Sequence, residues 1–201
     1  MLNMHEAPSA ARRWSLVRTA PPAALLSTAD LKAHLRVQHD DEDALIDSYA
    51  AAAVDHCQRL AQRAFLTQGF TYVIRNGAGW RMGRVQLPMP PLAAVAAVRV
   101  RTTEEGAASV IPALNYHVDS ASEPGVVTQL AGFQAGAVHE FDFLAGTGTA
   151  ANVPPELVQA VRLLAAHWYE NRESGLVGTI SKEIEFAVSA LVEPYRMRVL
   201  S

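Results

Sequence analysis

The hydrophobic period of this chain changes twice, and that double switch constrains its fold more than any single motif. As far as Gln68 the apolar residues recur at helical spacing. They then alternate in short runs broken by turn residues, and from Pro154 the helical period returns.

The front segment opens with "STADLKAHLRV", where Ser27 or Thr28 is a helix N-cap, Asp30 falls in the first turn, and Leu31 and Leu35 share a face. "HDDEDALIDSYAAAAVDHCQRLAQRAF" predicts a longer helix. Asp40, Asp41, Glu42 and Asp43 crowd its start and Arg59 and Arg63 its end, an order that complements the helix dipole. Leu45, Tyr49, Ala53 and Leu60, with Ile46 and Cys57, mark its apolar stripe.

In the middle, Phe70, Tyr72 and Ile74 alternate ahead of an Asn76-Gly77 turn. "RVQL", "AAVAAVRVRT", "NYHVDS" and "GVVTQL" read as further strands, the last two flanking a Glu123-Pro124-Gly125 corner. "VHEFDFLAG" sets Val138, Glu140 and Asp142 against His139, Phe141 and Phe143. Short strands joined by turns predict antiparallel pairing. At the rear, Pro155 and Glu156 suit a first helical turn, and Val158, Val161, Leu164, Ala165, Trp168 and Tyr169 form an apolar side. Gly175 and Gly178 punctuate the exit, and a last helix around residues 182 to 192 is stopped by Pro194. The expected fold is α+β: a mainly helical bundle with a central antiparallel β-rich insertion over residues 70–145. Residues 1–26 read as a flexible or extended arm rather than a secretion signal, residues 27–201 as one domain, and 154–201 as its terminal helical region.

Composition narrows the function. Charged residues make up 18% of 201 and hydrophobic ones 50%, a poor supply of wet surface that favours an oligomer. The net charge of −3 argues against a general duplex-DNA binder, which carries a marked basic excess. Cys57, the single cysteine, permits neither an intrachain disulfide nor a thiolate metal cage, and its place in a helical stripe makes it a packing residue. This composition suits a cytosolic assembly. No uninterrupted apolar run approaches about 18 residues, so no membrane span is expected.

Motifs for chemistry are scarce. No G-x-S-x-G elbow, H-E-x-x-H pair or phosphate-binding glycine pattern occurs, and "NGAGWRMG" and "AGTGTAANVPP" are explained as turns. The acids Asp40, Asp41 and Asp43 lack the oxygen order of an EF-hand and read as solvated helix-start charge. No catalytic residue, cofactor site or metal site is therefore assigned. Two clusters remain as candidate interfaces. Arg75, Arg81, Arg84, Arg99 and Arg101, with Trp80, lie in a stretch free of acids, which suits a protein partner, passing nucleic acid or ordinary surface. In "HWYENRE", Trp168 and Tyr169 adjoin Arg172 and Glu173, an aromatic anchor with a charged rim that suits either core packing or an intersubunit contact.

Taken in order, "LKAHLRVQHDDEDALIDSYAAAAVDHCQRLAQRAF", "PLAAVAAVRV", "NYHVD", "FLAGTGTAANVPPELVQAVRLLAAHWYENRESG" and "EFAVSALVEPYRMR" resemble the tailed-phage head–tail connector adaptor family, including the adaptors of phage-like gene transfer particles. Leu35, Asp41, Asp43, Leu45 and Ile46 match the front signature, Trp168, Tyr169, Asn171, Arg172 and Glu173 the rear one, followed by Pro194, Tyr195 and Arg196. The resemblance implies a structural protein, not an enzyme, assembled in the bacterial cytoplasm and resident at the head–tail junction of a virion or phage-like particle. It implies a twelve-subunit ring beneath the portal, touching the portal protein and a tail-completion or stopper protein. DNA would pass through the extended channel without being read. Two further functions compete: a small hydrolase built on His117 or His139 beside an acid and a nucleophile, and a nucleic-acid-binding module using Arg75–Arg101. The long β-rich centre and the arm before residue 28 depart from the simplest all-helical connector.

Overall fold

A computed structural model describes residues 13–75, 83–103, 105–131, 137–171 and 182–197. Among the described residues, four α-helices and eight strands follow one another as β1 (Trp14–Ala20), α1 (Thr28–Leu35), α2 (Asp43–Ala61), β2 (Gln68–Ile74), β3 (Arg84–Gln86), β4 (Leu92–Arg101), β5 (Ser109–Val110), β6 (Tyr116–Asp119), β7 (Val126–Gln129), β8 (Val138–Ala145), α3 (Pro155–Glu170) and α4 (Lys182–Val192).

Local chemistry explains the helix limits. Ser27 caps α1 in a reciprocal box: its Oγ accepts from the Asp30 amide at 3.1 Å, while the Asp30 carboxylate accepts from the Ser27 amide at 3.3 Å. Arg36 and Gln62 end α1 and α2 in the left-handed conformation, at φ 59° and 52°. Pro155 opens α3 where a missing amide hydrogen costs nothing. The buried stripe of α2 runs through Ile46, Ala53, Val54, Cys57 and Ala61. Leu60, expected in that stripe, is 36% exposed, because Ala61, four positions past Cys57, takes the next inward place and Leu60 stands beside it. Alanines at the α2–α3 contact let the two longest helices approach closely. Leu31, Ile46, Phe65, Leu157, Leu164 and Val188 are among the residues that complete the helical core.

The strands form two antiparallel sheets, one in the order β1-β2-β8-β4-β5 and one in the order β3-β7-β6. Alternation decides which side faces in. Phe70, Ile74, Val98, Phe141 and Phe143 point from the larger sheet into a second core that includes Val85 and Val127 of the smaller sheet and Leu87 just after β3. Phe70 and Phe143 stack there with ring centroids 5.5 Å apart.

These observations correct the expectation of a mainly helical bundle with a β-rich insertion. Of the described residues helix takes 39% and strand 28%, and the sheets own a core separate from that of the helices. The larger sheet also recruits Trp14–Ala20, from within the span read as an arm, as its edge strand against β2. The reason is burial: β2 turns Phe70, Tyr72 and Ile74 into the sheet core and is covered on both edges only when β1 joins it.

The two cores meet at residues 62–68. The buried Gln58 side chain accepts from the Phe65 amide at 2.8 Å and from Gln68 Nε2 at 2.6 Å, fixing the chain as it leaves α2 for β2. The Ala64 amide donates to Pro90 O at 3.0 Å, the Thr147 amide to Phe65 O at 3.1 Å and the Met197 amide to Ala61 O at 2.9 Å. Arg63 holds Glu123 and donates through Nε to Tyr195 O at 3.2 Å. Gly146, at φ +126°, passes so close to this connection that a Cβ there would lie 2.1 Å from Leu66 O. Gly146→Ala is therefore expected to lower unfolding free energy by about 2–4 kcal/mol, from backbone strain together with overpacking. Urea denaturation of the full chain measures it.

Candidate functional site

The basic cluster is neutralised by acids from a distant part of the chain. Arg99 and Arg101 stand on the outward side of β4, and Asp142 and Glu140 on the same side of β8. Arg99 pairs with Asp142 and Arg101 with Glu140. Thr71 on β2 donates to Asp142 at 2.6 Å, so the lattice spans three strands. Arg75 follows β2 directly, and its amide donates to Arg13 O at 2.8 Å. Arg84 is exposed on β3, in the other sheet. Trp80 and Arg81 lie outside the described residues. The run that looked acid-free in sequence is thus split between two sheets, and where it is densest it is charge-compensated.

The rear cluster binds helices to one another. Trp168 packs against the helical core and meets His56 of α2 edge-on, with ring centroids 6.0 Å apart at 89°. The Tyr169 hydroxyl donates to Glu42, at the start of α2. Tyr195 donates to Glu156 at 2.9 Å, tying the turn after α4 to the first turn of α3. Arg196 is exposed beside Glu193, 3.6 Å away. Asn171 closes α3 by donating through Nδ2 to His167 O at 2.8 Å. Arg172 and Glu173 lie outside the described residues. Trp168, Tyr169 and Tyr195 are therefore half-buried struts, while Asn171 and Arg196 are exposed.

The groups proposed for chemistry do not assemble. The His139 ring is buried on the inward side of β8, opposite Ile74 and Val100. Near His117, Ser122 donates its hydroxyl straight to Asp119, with no imidazole between them to take its proton. Burial pushes the Cys57 thiol up to about 12, so it is no nucleophile at neutral pH. In the acidic stretch Lys32 holds Asp40 and also Asp43, the latter at 2.8 Å, and Asp41 is exposed. The hydrogen bond from Lys32 keeps the Asp40 carboxyl below its ordinary pKa. Among the described residues no group of three or more His, Cys, Asp or Glu side chains is placed to hold a metal.

Two tests follow from this geometry. Arg99→Ala or Arg101→Ala should lower stability by about 1 kcal/mol through loss of a cross-strand pair, while leaving affinity for duplex DNA unchanged. Thermal unfolding and fluorescence anisotropy read the two quantities. Burial also holds the imidazole of His139 below its ordinary pKa, and burial and then Arg59 do so for His56, with Glu185 opposing. A lowered folded-state pKa makes stability full above the unfolded value of about 6.5 and loses it as pH falls. Urea midpoints should decline from pH 7 to pH 5, and His139→Phe should flatten that decline.

The chain was compared with known proteins. The phage gp6-like head-tail connector protein family matches residues 27–106, from the α1 cap into the loop after β4. No curated protein matches it significantly. Among solved structures, a chain from the neck of an empty GTA (gene transfer agent) particle computed with C6 symmetry is 31% identical, with a TM-score of 0.73. The match covers 93% of this chain and 98% of that one. A chain from the neck of a native GTA particle computed with C12 symmetry is 32% identical, with a TM-score of 0.70 and the same coverage. One from the virion of a native GTA particle is 29% identical, with a TM-score of 0.72, over 92% of this chain and 97% of that one. A relative above 30% identity, matched nearly end to end across helices and sheets alike, carries the assignment: this chain belongs to the phage gp6-like head–tail connector family, whose role is structural.

Proposed function

We propose that twelve copies of this connector close into a ring at the head–tail junction of a phage-like particle, beneath the portal, and join it to a tail-completion or stopper protein. The observation that carries this reading is the near-complete match to neck chains of particles reconstructed with C6 and with C12 symmetry. A twelvefold ring is compatible with both, since six divides twelve. The work such a ring does is mechanical: each copy offers one face to the copy before it and another to the copy after it, and the closed set leaves a passage for DNA.

The charge pattern supports passage without reading. Arg99 and Arg101 are held by Asp142 and Glu140, so the larger sheet offers paired charges where a phosphate backbone would need free cations. The match to a family of structural connectors supports a non-enzymatic role. The neck relatives and the family match favour a particle-bound protein over the hydrolase and nucleic-acid-binding alternatives.

Cryo-electron microscopy of particles carrying the chain tests the reading. The expected map contains twelve copies between the portal and the tail, and particles lacking the chain keep filled heads without joined tails. A map in which the chain lies away from the portal–tail junction would overturn it.

A further inference from the structure

We draw no further inference here: the strongest candidate, the apolar groove where β1, the β3–β4 connection and the turn after α4 meet, lined by Trp14, Tyr72, Met89, Pro124 and Met197, is open only among the described residues, and nothing in the structure shows what covers it.

Discussion

The buried carboxamide of Gln58 is the contact on which the rest of the structure depends. The chain that leaves α2 for β2 is buried at residues 64–66, where a backbone amide without a partner would be costly. Gln58 Oε1 takes two donors, the Phe65 amide and the Gln68 side chain, one at each end of the turn. With that segment fixed, Phe65 and Leu66 turn into the helical core while Ala64 and Phe70 turn into the sheet core. The C-terminal turn, the Pro90-Pro91 approach to β4 and the exit from β8 all hydrogen-bond onto the same few residues. These bonds join the helical layer to the sheets at one place.

Charge placement follows the same economy. The larger sheet hides its aromatics on one side and spends its charged residues on the other as cross-strand pairs. On that face the charges of β4 and β8 are held in pairs. In the helical layer the aromatic residues of the rear signature act between α2, α3 and the last turn.

Where the sequence was legible, a local rule applied without competition. Ser27 and Asp30 write a capping box in four letters; Phe70, Tyr72 and Ile74 write a strand; Pro155 writes a helix start. The stripe of α2 was read in part and Leu60 was misplaced, because a run of alanines gives the apolar period little contrast. Trp14–Ala20 was harder: a strand of mixed exposure carries weak alternation, and its membership in the sheet is set by the strand it joins. Trp168 and Tyr169 were recognised as an anchor, but whether an anchor grips its own core or a neighbour depends on what stands opposite. His56 and Glu42 stand there, more than a hundred residues earlier.

The sequence by itself determined the order of helix, strand and helix, the antiparallel character of the middle, the lack of catalytic motifs and the family. Each of these is written in neighbouring residues or in an ordered set of local patterns. Only the tertiary structure decided that the sheets have a core of their own, that β1 belongs to them, and that Arg99 and Arg101 are matched by Asp142 and Glu140. The physical reason is common to all three. Burial and charge pairing act across space between residues that periodicity and spacing, being local, never bring into the same window.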